Sequence, residues 1–381
     1  MMLHILKTLP SLFVLAVLIV SCSNPSNNNK AETVDKELPE SESYYSMADF
    51  KSMPKIDIHA HINSEGKVMV EEARANNFKL LVMAVDVAGH YPIMEEQIRV
   101  RVKQHKEDPE IFAYTTAFTL EGWDEPDWAD KVIAKLAKDF ENGALGVKVW
   151  KNIGMVEKDK DGNLIMLDDP KFDPIFQFIK DQNKVLLSHA GEPKNCWLPL
   201  EEMTVNNDRE YFSNHPEFHM YNYPDMPSYE DQIVARNNML GKNKEITFVA
   251  VHLASLEWSV DEIANFLDKY SNASVDLAER ISHLQVQSQK DRDKVRDFMI
   301  KYQDRIVYGT DFSETDDTDP VSLRAKMQKV WLNDWKYLNT DDTMEVSQLN
   351  TAFKGLKLPK TVVDKIYHTN ADKIFPNAWK E

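Results

Sequence analysis

The chain has 381 residues, 43% of them hydrophobic, and a formal net charge of -17. That length and apolar content suit one large α/β domain with a substantial core. The acidity argues against a nucleic-acid partner, which needs clustered cations, and two cysteines exclude a disulfide framework.

The first residues read as a targeting signal. Lys7 supplies a positive start, and Leu12 to Val20 is an apolar stretch too short to span a bilayer. It ends in Leu18-Ile19-Val20-Ser21-Cys22, which resembles a bacterial lipobox. The resemblance implies cleavage before Cys22, lipid attachment to Cys22, and a location at the bacterial cell envelope, on its periplasmic or surface face. The expected division is a signal over 1–21, a flexible tether over 22–47 and a catalytic domain over 48–381. The tether expectation rests on composition: SNPSNNNK and ELPESESYY hold few apolar residues to offset ordering entropy.

From Pro54 onward, short β-branched runs alternate with longer amphipathic stretches. In chain order the runs are KIDIHAH, KLLVMAVDV, FAYTTAFTL, LGVKVWK, KVLLSHA, TFVAVHLA, NASVDLA and RIVYGTDF. Helical patterns between them include Glu95 to His105, Trp128 to Asn142 and Ser259 to Tyr270. Alternation of this kind implies a parallel sheet, and eight units imply a closed (β/α)8 TIM barrel. Strands are expected to end near 119 for the third run and 311 for the eighth. The interval from 189 to 252 is long. Its segment NHPEFHMYNYPDMPSYEDQ is poor in helical periodicity and reads as a lid or binding loop.

Chemistry on such a barrel gathers where strands end and βα loops open. The first run ends in His59-Ala60-His61, and residues i and i+2 on a strand share a face. The fifth ends at His189, the sixth at His252 and the eighth at Asp311. Four imidazoles and a carboxylate at one barrel mouth are ligand types for zinc or a similar divalent ion. His215, His219 and His283 have no spacing that forces a ligand role. Cys196 has no identifiable base beside it.

The pieces DIHAH, GVKVW, LLSHAGEP, FVAVHLAS, VDLAERI, VYGTDF and NADKIF span nearly all of the chain after the tether. In that order they resemble the amidohydrolase superfamily, specifically its amidohydrolase-related group of metal-dependent hydrolases and decarboxylases. The resemblance implies that His59, His61, His189 and Asp311 hold one divalent metal, zinc or else manganese. It makes Asp311 the catalytic base as well as a ligand, and it sets His252 beside the activated water as a second catalytic group. A second metal stays open, because Lys148 matches a lysine that bridges two metals in binuclear members, and His252 would then be one of the second metal's ligands. Structural pairing with a carboxylate is the other reading of Lys148. Arg280, Lys148 and Trp150 are the candidate substrate contacts, with a surface ion pair to Glu279 or Asp276 as the alternative for Arg280.

The implied activity is hydrolysis of a small carbonyl substrate such as a lactone, ester or amide. Decarboxylation of an unsaturated carboxylic acid is the alternative, and a non-catalytic lipid-anchored binding protein is the outlying one. The expected partners are a small-molecule substrate and, through the lipid anchor alone, a membrane. The oligomeric state is left open, a dimer included.

Overall fold

A computed structural model describes residues 43–87 and 92–379 of the chain. The signal, Cys22 and most of the expected tether lie outside the described residues. Eight βα units follow one another. The strands are β1 (Lys55–Ile62), β2 (Phe78–Val82), β3 (Phe112–Tyr114), β4 (Gly146–Val149), β5 (Val185–Ser188), β6 (Phe248–Ala250), β7 (Ala273–Asp276), β8 (Ile306–Val307) and β9 (Phe312–Glu314). All pair in parallel, in two runs: β3-β2-β1-β9 and β4-β5-β6-β7-β8.

Backbone hydrogen bonds join the two runs into a ring. Between β3 and β4, Leu145 N donates to the Tyr114 carbonyl and Thr116 pairs with Val147. Between β8 and β1, Ile58 N donates to the Tyr308 carbonyl, and Asp311 N to the His59 carbonyl. The eighth run is therefore one closing strand interrupted at Gly309–Asp311, where Asp311 takes a left-handed φ of 64°. The third run stops as a strand at Tyr114, earlier than expected.

An apolar plug fills the barrel interior: Ile56, Ile58, Leu81, Leu187, Val249 and Val307 pack with Phe375 and Trp379 of the C-terminal segment. Helices surround it. Met94–Glu107, Trp128–Glu141 and Val260–Lys269 match the expected positions within two residues. Ser259 caps the last of these through its side chain, as a residue that competes for backbone donors does.

Two expectations are corrected. The 189–252 interval is not a single irregular lid. It holds helices Asn206–Asn214 and Tyr229–Lys242, the second opened by a capping box in which Ser228 and Asp231 satisfy each other's backbone N–H. The capping pair lies inside the stretch that read as irregular. Residues assigned to the tether also reach the barrel. Tyr45 donates to Asp364 over 2.7 Å, and the Ser46 carbonyl accepts from Trp335 Nε1 over 3.0 Å.

Candidate metal centre

The site begins with a fault in β1. Its register against β2 shifts between Asp57 and Ala60. Before the shift Ile56 and Ile58 point into the barrel plug; after it Ala60 and Ile62 belong to the outer core layer. A bulge of one residue exchanges the faces of a strand, so His59 and His61 now turn inward. Close approach of the closing strand holds them there: a Cβ on Gly309 would come within 2.9 Å of His59 Cβ.

Three rings are oriented from behind. His59 Nδ1 lies 2.7 Å from Asp276 Oδ2. His61 Nδ1 lies 3.1 Å from the Met83 carbonyl, and His252 Nδ1 lies 3.0 Å from the Ala278 carbonyl. A carbonyl oxygen only accepts, so His61 and His252 carry their protons on Nδ1. Their Nε2 atoms face the cavity. Burial favours the neutral form: it holds His59 and His252 well below the ordinary imidazole range and lowers His189 to about 4.

Asp311 stands among these nitrogens. Its carboxylate lies 2.9 Å from His61 Nε2, 3.4 Å from His59 Nε2 and 3.8 Å from His252 Nε2. Burial raises its pKa, but the His59, His61 and His252 imidazoles outweigh that and hold it well below the usual carboxylate range. The Nε2 atoms of three histidines thus converge on one carboxylate, an arrangement that a divalent cation would hold in common. The donor atoms of His59, His252 and Asp311 all lie within 4.8 Å of one another. The donor set fits a divalent ion.

His252, expected beside the water, is as central as His59. His189 is adjacent, its ring centroid 4.3 Å from that of His252. Its Nε2, however, lies 3.4 Å from the Glu192 carboxylate, without a well-formed hydrogen bond to any protein group. Glu192 in turn forms a buried ion pair with Lys151. Charge attraction from Lys151 and His189 overcomes burial and holds Glu192 below the ordinary carboxylate range.

Among the described residues Lys148 makes no ion pair with a carboxylate. Its Nζ sits 3.2 Å from His59 Nε2 and 3.3 Å from Met83 Sδ, and burial lowers its pKa. Asp276, read from the sequence only as a surface partner for Arg280, is fully buried. Besides binding His59, it accepts from His252 N over 2.6 Å. Arg280 makes no ion pair with Asp276 and touches Glu279 only through the main-chain carbonyl, over 3.1 Å. Among the described residues its buried Nε has no hydrogen-bond partner.

His59, His61, His189, His252, Asp311 and Lys148 line a cavity of about 910 Å³. Trp150 and Arg280 are on its wall, as are Lys151, Tyr211 and Phe218. The three rings Trp150, Tyr211 and Phe218 surround Lys151 Nζ at 4.8 to 5.6 Å. Cys196 is buried and donates to the Phe218 carbonyl, and burial pushes its thiol up, so it is no nucleophile. His283 lies 3.1 Å from Asp208, away from the metal cluster.

His252 opens a turn of unusual conformation. His252, Leu253, Ala254 and Ser255 all have positive φ, between 52° and 61°. Left-handed backbone costs L-residues about 1–2 kcal/mol each, so the surrounding structure must hold this turn in place.

The family model described as amidohydrolase matches residues 56–376. The chain belongs to the amidohydrolase family. No curated protein sequence matches it. Among solved structures, an uncharacterised TIM-barrel protein from Bordetella bronchiseptica is similar over 86% of this chain and 99% of its own, at 12% identity and a TM-score of 0.52. A 2,6-dihydroxybenzoate decarboxylase from Rhizobium is similar over 85% and 98%, at 12% identity and a TM-score of 0.50. At that identity the likeness is one of fold, and the fold is the expected (β/α)8 barrel.

The sequence named His59, His61, His189, His252 and Asp311, and the fold brings them together. Asp276, Glu192 and Asp208 went unnamed as site residues, and Lys151 was named only as a candidate substrate contact after the fourth strand. Only Asp276 carried a signal, as a carboxylate at a strand end.

Proposed function

We propose that this amidohydrolase-family protein is a metal-dependent hydrolase of a small carbonyl substrate that carries a carboxylate. One observation carries the reading: the Nε2 atoms of His59, His61 and His252 converge on the Asp311 carboxylate at the cavity floor, within 2.9 to 3.8 Å. His59, His61, His189 and Asp311, with His252, would hold a divalent ion, zinc or manganese. Such an ion would supply a polarised water with a pKa of about 7 and a polarised carbonyl.

The chain's own groups do the rest. Asp311 accepts the proton from the attacking water and returns it to the leaving group. His252 steadies negative charge that develops on the attacked oxygen. Arg280 binds the substrate carboxylate, because a buried guanidinium with an unpartnered Nε is costly until an anion completes it. Trp150 lines the wall against the substrate body. Lys148, at the floor, presents a cation beside His59.

Decarboxylation of an unsaturated acid is the second reading, and the same Arg280 favours it, since a carboxylic acid would be held at the same place. A panel of lactones, esters, amides and unsaturated acids, assayed with zinc and with manganese, separates the two. Carboxylate or alcohol release without carbon dioxide supports hydrolysis. Carbon dioxide release overturns it in favour of the lyase.

We also propose that the mature chain is lipid-anchored through Cys22 at the cell envelope. Metabolic labelling with palmitate should mark the wild-type chain and fail with Cys22→Ser; equal labelling of both would contradict the anchor.

A further inference from the structure

The turn His252–Ser255 leaves the sheet in left-handed conformation; Leu256 N donates to the Leu253 carbonyl, and no backbone donor reaches the Ala254 and Ser255 carbonyls among the described residues. Two side chains of one helix, Tyr229–Lys242, supply donors instead. The Arg236 guanidinium donates through Nη1 to the Ala254 carbonyl. The Tyr229 hydroxyl donates to the Ser255 carbonyl over 2.5 Å. Arg236 is 1% exposed. It has no ion pair among the described residues. Its other contacts are the Asn237 side-chain oxygen, 3.1 Å from Nη2, and the Phe266 ring, 4.6 Å from the guanidinium carbon.

A cation buried without a carboxylate is expensive, and an apolar side chain would fill the same volume at lower cost. What an apolar side chain cannot do is satisfy the Ala254 carbonyl. The opposite side of the turn is held as well. Asp276 accepts from His252 N, and Ser255 Oγ donates to the Gly191 carbonyl over 2.8 Å. The turn is therefore clamped between the strand-end carboxylate on one side and the helix on the other. His252 is its first residue.

We propose that Arg236 is a positioning residue: by holding the Ala254 carbonyl it fixes the left-handed turn and so aims the His252 ring into the cavity. Arg236 does not line the cavity and touches no substrate. It links the helix after β5 to the catalytic histidine after β6. The inference rests on the turn's geometry and stands whatever reaction the site performs.

The test is nitrogen-15 NMR of the histidine rings in the intact chain, with thermal melting measured in parallel and no substrate added. Wild-type His252 should appear as a single Nδ1–H tautomer. In Arg236→Met the His252 ring signals should shift or broaden while those of His105, remote from the turn, stay in place. Arg236→Lys keeps a donor and should recover part of the wild-type pattern. A wild-type His252 pattern in Arg236→Met, with only a lower melting temperature, would overturn the proposal and leave Arg236 a purely structural residue. If Arg236→Met does not fold, Arg236→Lys and Tyr229→Phe carry the comparison. Both should displace the His252 signals, Tyr229→Phe through the freed Ser255 carbonyl, and unchanged signals in both would overturn the proposal equally.

Discussion

Lys55 opens β1 at the bottom of the barrel and Lys148 sits on β4 near its mouth; both are almost fully buried. Burial lowers the pKa of each, Lys55 to about 7. Their surroundings differ. Lys55 is enclosed by neutral groups: its Nζ donates to the Phe50 and Met53 carbonyls and lies 4.7 and 4.8 Å from the Phe50 and Phe78 rings. Lys148 stands 3.2 Å from His59 Nε2, with Asp276 and Asp311 opposing the effect of burial. Desolvation alone therefore does not mark a functional group. What marks the mouth is that several titratable groups there face each other.

The sharpest way to break this contrast is at Asp311. Asp311→Asn keeps the shape but removes the proton acceptor. It should lower turnover by about 10²–10⁴-fold with an unchanged circular dichroism spectrum. Turnover within a few-fold of wild type would remove Asp311 from the chemistry. Next is the group behind the ligands. Asp276→Asn should weaken metal binding by about 10–100-fold, read by competition with a chelating dye, because outer groups fix ligand tautomer and basicity. Unchanged affinity would make Asp276 a folding residue.

Arg280 tests the substrate side. Arg280→Ala should raise KM for a carboxylate-bearing substrate by about 10–100-fold, the loss expected for charge-assisted hydrogen bonds. The same variant should leave KM for an uncharged ester nearly unchanged; equal losses on both would contradict anion recognition.

The smallest effect is expected at the barrel bottom. Lys55 has a folded-state pKa near 7 against an ordinary 10.5. Between those values the unfolded chain binds more protons, so this group's contribution to stability rises with pH across that window. Lys55→Met should flatten the rise, by at most about 1.4 kcal/mol per pH unit, and leave turnover unchanged. A fall in turnover matching that of Lys148→Met would erase the distinction between the two lysines.

Much of this was legible in the sequence. The strand–helix rhythm gave the barrel because apolar runs are local features. His59 and His61 could be paired because a period of two is built into a strand. The bulge that turns them inward is a register effect of β2 and the closing strand, and no local pattern carries it. The Lys151–Glu192 pair joins the loops after β4 and β5, so only the fold reveals it. The helix Tyr229–Lys242 was hidden because its start overlaps a segment rich in Tyr, Pro and His. Arg236 lies inside that helix, and neither its burial nor the left-handed turn it holds has a local pattern in the sequence.

The central claim is that the mouth of this barrel is built for a divalent cation. Its most direct test is elemental analysis of protein purified without chelator, followed by calorimetric titration with zinc and manganese. Wild type should retain or take up divalent ion near stoichiometry, and His59→Ala and Asp311→Asn should bind it far more weakly. Wild-type protein that holds no divalent ion and shows no binding heat with either metal would contradict the claim.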